Sequence, residues 1–148
     1  MESVGLKKKT FMVIAGANTT LLAAERSSLA DIRSSLERKA AECGIAVDCR
    51  EFTREGDMVI SLQEAAGTCD GIIINAGEPA YFSDALRSAI DALRIPSVEV
   101  CTAHMHNLEE SRHASVISPV CVGVISGFGT YSYLLALDAL VHLQDGTG

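Results

Sequence analysis

The sequence has no long hydrophobic run, no basic block beyond its first nine residues and no closely spaced pair of cysteines. Its longest apolar stretches have the length of a strand, so none is long enough to cross a bilayer as a helix. With a net charge of −7 and no Lys and Arg cluster to neutralise phosphates, the chain is not expected to bind nucleic acid. The five cysteines are an odd number without a CxxC, which argues against a disulfide framework or structural zinc and favours a reducing cytoplasm.

What the sequence does have is enough apolar material for one domain. It has 148 residues, of which 48% are hydrophobic, and this length is typical of a single domain. We interpret residues 1–9, which include three lysines, as a flexible N-terminal tail without the apolar core of a signal peptide. Residues 10–145 are predicted to form the domain.

Segments with the hydrophobic pattern of strands alternate along this domain with segments that have the periodicity of helices. Short apolar runs rich in β-branched residues predict five strands, at Phe11–Ala15, Ile45–Glu51, Gly71–Asn75, Ser97–Cys101 and Val120–Ser126. Helical periodicity, with cap and stop residues, predicts four helices, from Ser28 to Gly44, Asp57 to Gly67, Ser83 to Leu93 and Thr130 to Leu143. Strands separated by helices predict a doubly wound α/β sandwich with a parallel sheet.

The distribution of apolar residues also predicts how the elements are covered. The runs GIIIN and VCVGVIS are continuously apolar, which favours strands covered on both faces. The last helix is apolar around most of its circumference, which predicts burial by the sheet on one side and by a neighbouring subunit on the other. Ligands of such folds bind beyond the carboxyl ends of the strands, so we expect the functional residues in the turns that follow them.

These strands and turns together resemble the type II 3-dehydroquinate dehydratase family over about residues 11 to 143. The resemblance rests on IAGAN, EGDMVISLQEA, DGIIINAG and SDALRSAI, and above all on IPSVEV followed by ESRHASVISPVCVGVISGFGTYSYLLALDAL. It implies a flavodoxin-like, five-stranded parallel sheet in a three-layer sandwich, and trimers that assemble into a dodecamer. It also implies a small-molecule substrate, 3-dehydroquinate, which is dehydrated to 3-dehydroshikimate. We expect no cofactor and no membrane partner.

The resemblance further implies a proton-transfer apparatus from which this chain departs. The family uses a lid tyrosine, held as a phenolate by a lid arginine, and a histidine, oriented by a glutamate, that protonates the leaving hydroxyl. Between Leu22 and Ser28 the chain is too short for that lid and has no tyrosine, and Cys101 stands at the position of the histidine. Four further departures are Tyr81 for a substrate-contacting histidine, Leu108 for an arginine, Ser88 for an aspartate that supports the lid and Ala103 for a serine.

Other positions match the family and predict a retained pocket floor. The predicted substrate-binding residues are Asn75, Gly77, Thr102, Ala103 and Arg112, with Thr102 and Ala103 contributing backbone N–H groups. The candidate catalytic residues are Tyr81, Cys101, Glu99 and Asn18. Tyr81 is the candidate acid or base, although it equally fits a cap on the pocket. Cys101 beside Glu99 is a candidate acid or nucleophile, although a small buried hydrophobe is a common role for such a cysteine.

Three functions remain open at this point. A positioned acid or base contributes about 10²–10⁴-fold to a rate, so the missing groups favour a lyase, cyclase or isomerase that acts on a less polar substrate containing a carbonyl or carboxylate. A non-catalytic, oligomeric binding or scaffold protein is the second hypothesis, and a genuine 3-dehydroquinate dehydratase is the third. No metal site is expected, because His104, His106 and His113 do not form an HExxH motif.

Overall fold

The computed structural model describes residues 8–16, 29–102 and 114–145. Its strands are β1 (Lys9–Gly16), β2 (Ile45–Phe52), β3 (Gly71–Asn75), β4 (Ser97–Cys101) and β5 (Gly123–Ser126). Its helices, within those residues, are α1 (Leu29–Glu42), α2 (Glu55–Ala65), α3 (Asp84–Leu93) and α4 (Tyr131–Gln144). The five strands are parallel and form one sheet in the order β2-β1-β3-β4-β5. The predicted doubly wound, flavodoxin-like sheet is therefore confirmed.

Helices cover both faces of the sheet, because alternate side chains of each strand point to opposite sides. On one face α1 packs against α4, and a core there includes Val13, Ile73 and Val98. On the other face α2 packs against α3, and a second core includes Ile14 and Ile72. The result is a three-layer sandwich with the sheet in the middle.

The ends of the helices follow from local chemistry. Ser83 Oγ accepts a hydrogen bond from the backbone N–H of Leu86 at 3.0 Å, which satisfies one of the unpaired donors at the start of α3. Gly44, with a φ of 72°, follows α1 in a left-handed conformation that glycine adopts without strain. Because such residues are recognisable in a sequence, the predicted helix bounds agree with the structure to within about two residues.

The described residues also contain two short 3₁₀ helices that the sequence does not predict, at Glu78–Tyr81 and Ser118–Val120. The second one occupies the start of the predicted fifth strand. Pro119 has no N–H to donate to a ladder, and the backbone N–H of Val120 instead donates to the carbonyl oxygen of Ile117 at 3.1 Å. The chain therefore turns here, and β5 begins only at Gly123.

Within the single chain, the run VCVGVIS is not covered on both faces as predicted. Val122 is 59% exposed and Val124 is 44% exposed, because β5 is an edge strand that no described element covers completely. The fully buried residues of α4 lie along one face, which packs against the sheet and in part against α1. The predicted cover of its other side by a neighbouring subunit stays a prediction. Among the described residues, no helix combines the length and the apolar character that crossing a membrane would require.

Candidate active site

The carboxyl ends of β1, β3 and β4 meet at one edge of the sheet, where the strand order reverses between β1 and β3. In open α/β sheets this switch point is the usual place for a ligand. The chain segments approach each other closely here. A Cβ atom at Gly16 would lie 2.7 Å from the carbonyl oxygen of Ala76, so only glycine fits at the end of β1. Asn75, which pairs with Ala15, ends β3 at the same place.

Asn75 is a buried amide with a defined partner. Its side chain is 4% exposed, and its Nδ2 donates a hydrogen bond to the phenol oxygen of Tyr133 at 3.0 Å. Tyr133 lies in the first turn of α4 and is 2% exposed. The pair therefore joins the end of β3 to the helix that covers this face of the sheet.

Glu99 is a second buried polar group and lies two residues before the end of β4. It is 5% exposed, and both of its carboxylate oxygens accept hydrogen bonds from serine hydroxyls. Ser115 Oγ donates to Oε2 at 2.7 Å, and Ser118 Oγ donates to Oε1. Burial raises the pKa of Glu99 above its ordinary value, although the two serine hydrogen bonds act in the opposite direction. Glu99 thus ties β4 to the segment that begins at residue 114.

The thiols near this carboxylate differ in their setting. Burial raises the pKa of Cys121 to about 12, and the charge of Glu99 contributes in the same direction. Such a thiol stays protonated at neutral pH and is a poor nucleophile. Cys101 is half-buried at the end of β4, and strand alternation places its side chain on the same face of the sheet as Glu99. None of the five cysteines, all of which lie within the described residues, forms a disulfide.

The turn after β3 contributes Gly77 and Tyr81. Gly77 has a φ of 75° and precedes the 3₁₀ helix Glu78–Tyr81, of which Tyr81 is the last residue and is half-buried. The backbone N–H of Val116 donates to the carbonyl oxygen of Ala80 at 2.7 Å, which fastens this turn to the same segment that holds Glu99. The two predicted site regions are therefore linked through residues 115–118.

The structure does not place all the predicted site residues on one face of the sheet. Alternation along β3 and the bond to Tyr133 place Asn75 on the face covered by α1 and α4, whereas Glu99 and Cys101 lie on the face covered by α2 and α3. Thr102, which is 6% exposed, follows Cys101 at the same edge. Three predicted residues lie outside the described part of the chain, namely Asn18, Ala103 and Arg112.

The histidines considered as possible metal ligands, His104, His106 and His113, also lie outside the described residues. Within residues 8–16, 29–102 and 114–145, no group of three or more His, Cys, Asp and Glu side chains is arranged to hold a metal ion. The absence of a metal site therefore stays a prediction.

Sequence reasoning missed three residues that hold the site together, Tyr133, Ser115 and Ser118. Tyr133 belongs to the buried stripe of α4, where a hydroxyl among apolar side chains signals a buried hydrogen-bond partner. The serines are three residues apart in a segment whose regular structure is limited to the 3₁₀ helix Ser118–Val120, so no periodic signal identified them.

A groove of about 810 Å³ lies elsewhere, between β5 and α4. Its lining includes Val124, Ile125, Phe128, Leu135 and Leu143. None of the described site residues lines it, and its walls are mainly apolar. The groove is a surface feature of the sheet edge and is distinct from the switch point.

The sequence matches the family model described as dehydroquinase class II over residues 9–141. It is 45% identical over 120 residues to a protein of Jannaschia sp. named 3-dehydroquinate dehydratase, covering 80% of this chain and 81% of that protein. It is also 39% identical over 144 residues to a protein of the same name from Caldicellulosiruptor bescii, covering 93% and 99% of the two chains.

Solved structures give the same result. The type II dehydroquinase from Butyrivibrio crossotus superposes with a TM-score of 0.82 at 30% identity, covering 90% of this chain and 97% of that one. A 3-dehydroquinate dehydratase-like protein from Bifidobacterium longum superposes with a TM-score of 0.72 at 29% identity, covering 92% and 98%.

Proposed function

The chain belongs to the class II dehydroquinase family, and on that premise we propose that it is a lyase that removes water from 3-dehydroquinate. The observation that carries the proposal is its similarity, over most of both chains, to relatives that bear the name 3-dehydroquinate dehydratase. Sequence reasoning alone ranked this function last, because the segment between Leu22 and Ser28 is too short for the family's lid and has no tyrosine, and because Cys101 replaces the histidine. The relatives reverse that ranking.

The proposed reaction needs no oxidant or reductant. A base removes a proton from the carbon next to the ketone, and an acid protonates the hydroxyl on the adjacent carbon, which leaves as water. The electron pair of the broken C–H bond becomes the new C=C bond, conjugated with the ketone. Catalysis therefore depends on holding the substrate carboxylate and on two positioned proton-transfer groups.

Substrate binding is assigned to the edge where Asn75 lies. Its amide N–H groups are donors suited to a carboxylate, and in a chain with a net charge of −7 an anionic substrate needs such local donors. The proposal adds the backbone N–H groups of Gly77, Thr102 and Ala103 and the guanidinium of Arg112. Burial of Asn75 strengthens its hydrogen bonds, because water is largely excluded there.

Proton transfer is assigned to Tyr81 and Cys101, and Asn18 is proposed to hold a water that stabilises the enolate, as the family resemblance implies. Cys101 is the proposed acid at the position where the family resemblance has a histidine, and Tyr81 is the proposed base. Glu99 is too deeply buried and too fully bonded to its two serines to reach a substrate, so its proposed role is to hold β4 and the following segment.

A second candidate function is a related elimination, isomerisation or cyclisation of a less polar carbonyl compound. The replacement of the family's histidine by Cys101 favours this candidate, because a thiol is a weaker acid near neutral pH than an imidazolium ion. The third candidate, a binding or scaffold protein without catalysis, predicts that neither side chain matters to any reaction.

The test is turnover of 3-dehydroquinate by the purified protein, followed through the ultraviolet absorbance of the conjugated enone. We expect Cys101→Ala and Tyr81→Phe each to lower kcat by about 10²-fold or more. Matched controls are Cys43→Ala and Tyr131→Phe, which alter an exposed thiol and an exposed phenol. Both controls should keep the wild-type rate.

Each outcome selects one candidate. Absence of turnover by the wild-type protein would exclude the dehydratase proposal. If the wild-type protein turns over 3-dehydroquinate but Cys101→Ala does so equally well, the dehydratase stands and the assigned acid is wrong. Turnover of a less polar ketone in place of 3-dehydroquinate, sensitive to the same two substitutions, would select the second candidate. Inactivity towards both substrates, with a carboxylate ligand still bound, would select the third.

We further propose that the chain is cytoplasmic and self-associates as a trimer-based dodecamer, as the family resemblance implies. Five cysteines without a disulfide suit a reducing compartment. Val122, Val124 and Phe128 form an exposed apolar patch beside the free edge of β5, and a second copy is the proposed cover. Sedimentation of Val124→Asp should show a smaller species than the wild-type protein. A wild-type monomer would exclude the assembly.

A further inference from the structure

We propose that Tyr133 is a positioning residue that aims the amide of Asn75 at the carboxylate of the substrate. The inference rests on the proposed function only in assigning a carboxylate ligand to Asn75. It concerns a residue of α4 that the functional assignment does not otherwise use. The link is the hydrogen bond of 3.0 Å from Asn75 Nδ2 to the phenol oxygen of Tyr133.

Both side chains of this hydrogen bond are buried, which makes the bond a specific part of the packed interior. Tyr133 is 2% exposed and Asn75 is 4% exposed, and the tyrosine ring lies in an otherwise apolar core with Ile73 and Leu137. A hydroxyl buried among such side chains is destabilising unless it is hydrogen-bonded. A phenylalanine would fill the same space without that requirement. The phenol oxygen therefore has a role that packing alone does not explain, and the amide at the switch point donates a hydrogen bond to it.

The bond restricts how the amide can turn. One N–H of the planar amide is directed at Tyr133, so the second N–H and the oxygen take defined directions at the end of β3. A donor that is already oriented loses less entropy when it binds a ligand. Tyr133 thereby contributes to affinity without touching the ligand.

The start of α4 also holds the other predicted carboxylate-binding segment. The backbone N–H of Gly129 donates to the carbonyl oxygen of Thr102 at 2.9 Å, and that of Gly127 donates to the carbonyl oxygen of Cys101 at 3.0 Å. The backbone N–H of Phe128 donates to Ser132 Oγ at 3.2 Å, which fastens this loop to the first turn of the helix. The same turn of α4 therefore sets the position of both Asn75 and Thr102.

The test is a double-mutant cycle read out by calorimetric binding of quinate, a carboxylate probe that is not dehydrated in the assay. The proteins are wild type, Tyr133→Phe, Asn75→Ala and the double variant. We expect Tyr133→Phe to weaken quinate binding by about fivefold to tenfold, as for the loss of one hydrogen bond. In the Asn75→Ala background the same substitution should have no further effect. Tyr131→Phe, on the same helix and 56% exposed, is the matched control and should bind as wild type.

A role in packing alone predicts a different pattern. It would lower the unfolding temperature of Tyr133→Phe but leave quinate affinity unchanged, or weaken affinity equally with and without Asn75, and either result would overturn the inference. Where turnover is measurable, KM for 3-dehydroquinate should rise with the quinate Kd while kcat changes less. Should Tyr133→Phe not fold, a crystal structure of the wild-type protein with quinate decides. A carboxylate that does not contact Asn75, or an Asn75 that has left Tyr133, would then refute it.

The two proposals fail separately. Wild-type protein that binds quinate but does not dehydrate 3-dehydroquinate excludes the dehydratase function and leaves the role of Tyr133 standing. Active protein whose Tyr133→Phe variant binds quinate normally excludes the role of Tyr133 and leaves the function standing. Active protein that binds no quinate at all also overturns the inference.

Discussion

β3 and β5 have similar apolar sequences and opposite surroundings. All five residues of β3 are buried, whereas Gly123 and Val124 of β5 are exposed and its other two residues are half-buried. β3 lies between β1 and β4 with helices on both faces, while β5 pairs only with β4. An apolar run therefore indicates that a segment is a strand, but its burial depends on how many neighbours the topology supplies.

The glycines that begin the two strands show the same contrast. A Cβ atom at Gly71 would lie 2.9 Å from the ring of Phe11 and 3.1 Å from Leu140, whereas a Cβ atom at Gly123 would meet nothing within 4 Å. At β3 a glycine is required because helix and strand side chains fill the space above it. At β5 the space is open, so the residue type is not constrained in this way.

The largest expected effect is at the centre of the sheet. Ile73 is fully buried in β3, so Ile73→Ala should lower the free energy of unfolding by about 2–5 kcal/mol through lost contacts and the cavity that it leaves. Urea denaturation measures this change. A loss below about 1 kcal/mol would mean that the core relaxes around the site and that β3 is less tightly packed than its burial indicates.

Gly71→Ala should lower the free energy of unfolding by about 1–3 kcal/mol, because the added methyl group displaces the buried ring of Phe11. Gly123→Ala is the matched control on β5. It should be neutral or slightly stabilising, since alanine restricts the unfolded chain without meeting a neighbour. Equal effects of the two substitutions would contradict the comparison between the strands.

Glu99→Gln tests β4, the strand between them. Burial raises the pKa of Glu99 in the folded state above the ordinary value of 4.5, so ionisation of this carboxyl destabilises the fold. Its contribution to stability is greatest below pH 4.5 and declines as the pH rises through the raised pKa. We expect the wild-type protein to lose stability relative to Glu99→Gln over this range, measured by denaturation at a series of pH values. Parallel pH profiles of the two proteins would refute the role of Glu99 burial.

The smallest effect is expected at the edge. Val124 is 44% exposed, so Val124→Ala should change the free energy of unfolding by no more than about 0.5 kcal/mol under conditions where the protein is monomeric. The measurement is the same urea denaturation. A loss above about 1 kcal/mol would show that another surface covers β5 and would remove the contrast with β3.

Much of the fold could be predicted from the sequence, because its signals are local. Ser83, Gly44 and the apolar runs mark where elements begin and end, and alternation of strands with helices restricts the topology to a few arrangements. The 3₁₀ helix at Ser118–Val120 was missed because three residues are too few for a periodic pattern.

The candidate site was less accessible to sequence reasoning. Asn75 and Glu99 were both predicted as site residues, yet their positions on opposite faces of the sheet follow from the register of two strands. The partners that hold them, Tyr133 and Ser115, are 58 and 16 residues away along the chain. No spacing rule connects residues at such separations.

By itself, the sequence determined the order of strands and helices, the α/β class and the set of polar residues that follow the strands. Only the tertiary structure decided that β3 is enclosed and β5 exposed, that α1 covers part of α4, and that Tyr133 holds Asn75. The physical reason is the separation along the chain of the residues that interact. Secondary structure depends on side chains a few residues apart, whereas burial and side-chain partners depend on which distant segments the folded sheet brings together.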